Sequence, residues 1–463
     1  MALIGDGAER IAGRMTLAGL TVRVKAWLGD RSDRMVAQRL AGNAFLIRVA
    51  SAGIAYLAQV ALARWLGRHE FGVYVYVWTW VLLIGALSSL GVSYSAQRFV
   101  PEYRTTGDGA RLRGFLRASR LLCLCFGAAS AAIGIAVTLA IADRIGAHYV
   151  AAFVIGLSVL PIFTLSTVQD TISRSFNWIN LALVPAYIFQ PLIIVVSMTA
   201  LYLLGRPLTA TSALAAAVAG FWIVVTAQLL LLQRRLAATI APGPRIYEVA
   251  TWLKTAAPIF LVDSFFYLLT FCDILILQLF VAPDELGTYY AVTKTLALIN
   301  FIYFAVAAAT GHRFSEYHVN GDRAKLAAFV RDAVQWTFWP SLVLACALLA
   351  LGKPILMLFG SEFTDGYPLM FVLALGLIAR ASVGPAERLL NLTGKQSTCA
   401  GVYAVAFATN ISLCFILIPR YGLAGAAIAT MTAIMVEASL LALFVRLRLG
   451  LNVFVFSARA AGA

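Results

Sequence analysis

Six ionisable side chains sit inside long apolar runs of this sequence: Arg48, Asp263, Asp273, Lys294, Arg380 and Glu437. A charge at the centre of a bilayer costs at least about 2.5 kcal/mol on insertion scales, so such groups face a cavity or a partner instead of lipid. Three bases in that setting suit recognition of an anion away from bulk water, where charge-assisted hydrogen bonds are strong. Three acids suit a cation or a proton in transit, or neutralisation of the bases. Lys294 is the strongest candidate base, because it lies well inside its run in "YYAVTKTLALINF". Each group also has a plainer reading. Lys294 and Arg48 can snorkel to the interface, and Glu437 can serve as a buried hydrogen-bond partner of a neighbouring helix.

The elements that must position these groups follow from composition. The chain has 463 residues, 61% hydrophobic and 12% charged, where a soluble domain carries about 25% charged residues. This composition predicts an all-α polytopic membrane protein. Twelve apolar spans are expected near 43–63, 73–97, 121–142, 148–169, 181–204, 209–233, 256–281, 288–311, 334–352, 367–387, 398–418 and 422–446. Of the 36 Lys and Arg residues, twenty-seven fall in the two tails and in the loops after the even-numbered spans, against six in the opposite loops. Basic loops mark the cytoplasmic side, so both termini are expected there. The net charge of +15 is thereby accounted for without nucleic acid. The six cysteines form no metal-type C-x-x-C spacing and read as free thiols filling apolar space. No cofactor is expected. The first forty residues lack the apolar core of a cleaved signal peptide. Pro161, Pro185, Pro191 and Pro258 suggest spans that can bend, and Pro385 a loosened helix beyond Arg380.

One polar loop occurs twice. "EYRTTGDGARLRGFLR" (102–117) and "EYHVNGDRAKLAAFVR" (316–331) share eight of sixteen positions. Upstream, "LGRHEFGVY" (66–74) matches "VAPDELGTY" (281–289) through Glu, Gly and Tyr. Each loop follows the second span of a six-span half. The two halves therefore have the same orientation and are related by an axis along the membrane normal, around a central cavity. The expected organisation is a basic segment 1–40, six-helix bundles 41–235 and 256–447, a linker 236–255 and a tail 448–463. Asp108 and Asp322 are expected helix N-caps. At the 215-residue offset of the glycine-tyrosine signature, Arg48 falls on Asp263, an opposite-charge pair that could close the cytoplasmic entrance.

The stretches "LARWLGRHEFGVYVYVWTW", "VAPDELGTYYAVTKT" and "YGLAGAAIATMTA" resemble bacterial polysaccharide-export flippases of the multidrug/oligosaccharidyl-lipid/polysaccharide exporter superfamily. The resemblance covers roughly residues 40 to 447. It implies a transporter, not an enzyme, in the bacterial inner membrane. Its cargo would be a polyprenyl-pyrophosphate-linked oligosaccharide for O-antigen, capsule or exopolysaccharide, moved by alternating access beside a polysaccharide polymerase machinery. The lipid II flippases place cationic residues in their first and eighth spans, which by span would match Arg48 and Lys294, with Arg380 a further base. Asp263, Asp273 and Glu437 would serve a coupling cation or proton. Two alternatives stay open: a multidrug cation antiporter on the same fold, and a membrane polymerase or ligase. The latter lacks the large periplasmic loop such enzymes use, and no G-x-S-x-G, H-E-x-x-H or phosphate-binding glycine loop is present.

Overall fold

The computed structural model describes residues 33–456. Most of the basic segment 1–40 lies outside the described residues, as do the end of the tail and the side chains of Arg48 and Pro258. Among the described residues the regular structure is all helical. Nine stretches are long and apolar enough to cross a membrane. Two of them, Val49–Ser88 and Gln396–Leu449, hold 40 and 54 residues, about 60 and 80 Å of helix against a hydrocarbon core of about 30 Å. Each is divided at a glycine in a conformation that other residues rarely adopt: Gly67 (φ 73°) and Gly422 (φ 52°). Each is therefore two spans. Val249–Leu277 completes twelve, as the hydropathy pattern predicts. The narrow "DRIGAH" division also holds, with helices Gly109–Ala140 and Ala147–Leu157 on either side.

The repeated loop folds the same way twice. Gly107 and Gly321 both have φ 71°. Asp108 (φ −78°, ψ 74°) caps Gly109–Ala140 by accepting from Arg111 N at 2.9 Å. Asp322 (φ −81°, ψ 77°) caps Arg323–Ala350 by accepting from Lys325 N at 3.1 Å. The Arg111 backbone N–H holds the Asp108 carboxyl below the usual carboxylate range, and the Lys325 side chain does the same for Asp322. Because the folded values are depressed, both caps are fully charged above an ordinary carboxylate pKa of about 3.9 and are lost only as pH falls below it. One difference between the copies has a physical cause. Gly114 stands where the second copy has Ala328. A Cβ at Gly114 would lie 1.8 Å from the Ile246 carbonyl oxygen. The inter-half segment 240–248 is fastened here: Ile246 N donates to Ala110 O, and Arg113 donates to Ala241 O and Pro244 O.

The end of the bundle that carries these loops is called the basic end below. At the opposite end the two halves meet through their signature glycines. A Cβ at Gly72 would lie 1.8 Å from Pro283 O, and one at Gly287 would lie 2.9 Å from Arg68 O. Gly72 and Gly287, and likewise Arg68 and Pro283, are separated by the same 215-residue offset. The contact is thus a pseudo-two-fold one between the starts of spans 2 and 8, and only glycine lets the backbones approach so closely. Arg68 adds a salt bridge to Asp365 at 3.0 Å and donates to Asp284 O, while Arg64 donates to Met357 O and Leu358 O. Toward the basic end, Asn300–Val319 packs chiefly on spans 9 and 10 of its own half.

Candidate functional site

Lys294 lies on span 8, which begins at Pro283. Eleven residues of helix put it about 16 Å from that end, beyond the first turn that carries Asp284 and Glu285. Its Nζ lies 4.8 Å from the centroid of the Tyr290 ring one turn earlier. Among the described residues it has no hydrogen bond or ion pair, although the field of Asp273 reaches it. The next residue, Thr295, shares a 3.0 Å hydrogen bond with Tyr56 of span 1. Tyr290 packs on Phe71 of span 2, and Tyr74 of the same span interacts with Gln59, whose Oε1 is buried without a partner among the described residues. Lys294 therefore stands on the seam between the halves, beside hydroxyl and amide groups of spans 1 and 2. Such a set can hold a phosphate oxygen at Nζ and hydroxyl-rich ligands at the neighbouring polar groups.

The other two candidate bases differ from Lys294. The side chain of Arg48 lies outside the described residues. Arg380 is committed: it bridges Glu437 of span 12 and Glu387, the latter at 3.1 Å, with its side chain 15% exposed. Its guanidinium also lies over Tyr303 at 5.1 Å, and the Tyr303 hydroxyl donates to Glu387 at 2.9 Å. Span 10 breaks between Ala381 and Ala386, with Gly384 at φ 55°. This is the loosening expected near Pro385, and it lets Glu387 fold back onto Arg380. Removing one member of a buried pair strands the other charge. Arg380→Ala is therefore expected to lower stability by about 3–5 kcal/mol. In thermal unfolding of the purified protein, Arg380→Met combined with Glu437→Met and Glu387→Gln should recover much of that loss. An alanine variant as stable as the parent would show the pair to be incidental.

The three candidate acids also separate. Asp273 is satisfied. Its Oδ2 accepts from Tyr289 at 2.8 Å and Thr430 at 3.2 Å, and its Oδ1 from Ile274 N at 2.8 Å. It ties spans 7, 8 and 12 together. Glu437 is held by Arg380. Asp263, at the midpoint of Val249–Leu277, keeps a buried Oδ2 with no hydrogen-bond partner among the described residues. Two charged groups escaped the sequence reading. Glu387 fell on the edge of a span, and only the break beyond Ala381 brings it inward. Arg120, assigned to a loop, lies eleven residues inside Gly109–Ala140, partly buried, with its Nε donating to Leu116 O. The Asp170–Arg174 pair of span 4, at 2.7 Å, was readable as an i,i+4 spacing.

Comparison with known proteins places this architecture. The chain matches the solved structure of a multidrug resistance MATE family transporter of the MOP superfamily in its inward-facing conformation. The TM-score is 0.70 at 14% identity, over 88% of this chain and 98% of the other. It also matches the lipid II flippase MurJ in an inward closed conformation, with a TM-score of 0.67 at 16% identity over 87% of each chain. These likenesses establish the fold. A probable low-salt glycan biosynthesis flippase, Agl15 of Haloferax volcanii, is 23% identical over 174 residues. That match spans 36% of this chain and 36% of the relative. The family model described as polysaccharide biosynthesis protein matches residues 41–318, more than half of the sequence. The chain is a multi-pass membrane protein that belongs to the polysaccharide biosynthesis protein family.

Proposed function

We propose that this protein is a flippase or exporter that moves a polyprenyl-pyrophosphate-linked oligosaccharide across a bacterial inner membrane for surface polysaccharide synthesis. The observation that carries the reading is Lys294, a base within the apolar part of span 8 on the seam between the halves, with no carboxylate paired to it among the described residues. A cation left open in that position suits an anionic cargo, and a pyrophosphate is such a cargo. Family membership and the transporter fold support transport rather than catalysis. A coupling cation or proton and an adjoining polymerase are the partners this reading implies. Arg48 is the second base of this reading, and Arg380 acts as a structural member of the carboxylate cluster. The bundles 41–235 and 256–447 act as the two moving bodies, and 236–255 as the tether between them.

In cells, deletion of the gene should abolish one surface polysaccharide while its lipid-linked precursor accumulates on the cytoplasmic leaflet. A strain that loses neither the polysaccharide nor the transbilayer distribution of the precursor would refute the assignment. The basic end is proposed to face the cytoplasm, on the strength of the charge count. Cysteines placed at Asp108 and Asp322, in a chain cleared of native cysteines, should both be shielded from an impermeant thiol reagent in intact cells. Labelling of either one would contradict this orientation.

A further inference from the structure

Span 12 is followed by a docked segment. Its last turn carries Arg446 and Arg448, and Gly450 at φ 69° closes the helix. A left-handed glycine at that position turns the chain away from the helix axis. Residues 451–456 then run without helix along the side of the second half. Their side chains alternate. Leu451, Val453 and Val455 are buried in the cluster that holds Val334 and Phe338 of span 9 and Val383 beside span 10. Phe454 and Phe456 face outward and are 46% and 67% exposed.

Hydrogen bonds fasten this strap. Val455 N donates to Ser382 O at 3.0 Å. Ser382 stands at the break in span 10, where a helix end leaves carbonyls without their usual donors. Gln335 Nε2 of span 9 donates to Val455 O at 3.0 Å, and Gln335 Oε1 accepts from Trp339 Nε1 at 2.6 Å. Phe454 N donates to Asn452 Oδ1 at 3.2 Å, within the strap itself. These bonds satisfy backbone groups that are costly to carry bare into apolar surroundings.

The outward side of the strap continues an apolar face of span 9. Asp332 and Lys353 bracket twenty uncharged residues there, about 30 Å of helix and so the thickness of a hydrocarbon core. Within them Trp336, Trp339 and Val343 share one helical face, and each is at least half exposed. In a membrane-spanning helix that is the lipid side. The Phe456 ring lies 5.7 Å from Phe338 and 5.6 Å from Phe454, and Phe338 lies 5.2 Å from Trp339. Phe338 is about 9 Å along the helix from Asp332, inside the uncharged stretch. Aromatic rings next to arginines are what the boundary between acyl chains and headgroups selects. Arg446 and Arg448 are both exposed, and their charge suits anionic headgroups.

We propose that residues 451–456 are a re-entrant strap whose aromatic side sits in the lipid of the leaflet at the basic end. The partner is the bilayer interface: acyl chains meet Phe454 and Phe456, and lipid phosphates meet Arg446 and Arg448. The strap pins the end of span 12 to spans 9 and 10. It also caps the break that brings Glu387 onto Arg380. None of this depends on the cargo, so the strap stands or falls apart from the transport reading.

The test places single nitroxide labels on the full chain, cleared of native cysteines, in liposomes of phosphatidylethanolamine and phosphatidylglycerol. Phe454→Cys and Phe456→Cys carry the label on the strap. Trp336→Cys is the lipid reference and Asn320→Cys, at an exposed loop position, the water reference. Collisions with oxygen report lipid, and collisions with a water-soluble nickel chelate report water. Both strap labels should resemble Trp336→Cys, with an oxygen-to-nickel ratio several-fold above that of Asn320→Cys. Val455→Pro removes the N–H that Ser382 receives. It should sharpen the spectrum of the label at position 456 and leave that at 336 unchanged. Strap labels as open to nickel as Asn320→Cys would overturn the proposal, as would a strap spectrum unmoved by Val455→Pro. Labels shielded from both reagents, or broadened by a label on a second copy, would also overturn it, because protein would then cover the aromatic side instead of lipid.

Discussion

Lys294→Ala should leave the protein inserted and abundant and sharply reduce export of surface polysaccharide. A hydrogen bond to a charged group contributes about 1.5–3 kcal/mol, so transport at sub-saturating cargo should fall roughly 10- to 150-fold. Removal of this base also spares its neighbours, because among the described residues it is tied to no carboxylate and lies over the Tyr290 ring. The loss is therefore expected without the instability predicted for Arg380→Ala. Lys294→Arg should retain part of the activity, since the charge survives while the planar guanidinium meets phosphate with a different geometry. Normal polysaccharide from Lys294→Ala at native expression would remove Lys294 from the mechanism.

Gly72→Ala should hold the bundle open at the end away from the basic loops. The new Cβ would lie 1.8 Å from Pro283 O and 2.5 Å from Pro283 C. Both are backbone atoms that no rotamer change can move aside, so spans 2 and 8 must separate. Overpacking of this kind costs about 1–3 kcal/mol, enough to shift a two-state equilibrium by roughly 5- to 150-fold. The pseudo-equivalent Gly287→Ala should act in the same direction and more weakly, because its nearest atom is 2.9 Å away. Gly53→Ala, whose Cβ would meet nothing within 4 Å, is the matched control. The readout is a single cysteine replacing the buried Thr295, probed with an impermeant thiol reagent from outside the cell. The parent and Gly53→Ala should be protected and Gly72→Ala labelled. Equal protection in all three would mean that this contact does not gate access.

The sequence already held the periodic and local features of this fold. Hydropathy marks the spans because lipid leaves a helix few alternatives. The Asp108 and Asp322 caps were readable because a cap is a contact across three residues, made twice. The pseudo-two-fold axis was visible in the repeated loops. Its packing consequence at Gly72 and Gly287 was not, since a shared glycine does not reveal what approaches it. The charge cluster was the least legible part. Arg380 in isolation looks like a free base, and only the break between Ala381 and Ala386, together with the approach of span 12, surrounds it with Glu387 and Glu437. Asp273 and Asp263 looked alike for the same reason. Tyr289 and Thr430 satisfy the first, while the second keeps an oxygen that meets no donor among the described residues. Arg120 was missed because a basic turn at the edge of an apolar run reads as loop.

The central claim is that an unpaired base at the seam recognises a lipid-linked pyrophosphate and carries it across. The most direct measurement reconstitutes the purified protein in liposomes with a fluorescent polyprenyl-pyrophosphate oligosaccharide and follows the fraction of label open to an impermeant quencher. The parent protein should move the label between leaflets, Lys294→Ala should be slower by roughly 10- to 150-fold, and the same glycan on a neutral polyprenyl carrier should remain in its leaflet. Equal movement by the parent and by Lys294→Ala, or of the charged and neutral carriers alike, would contradict the account.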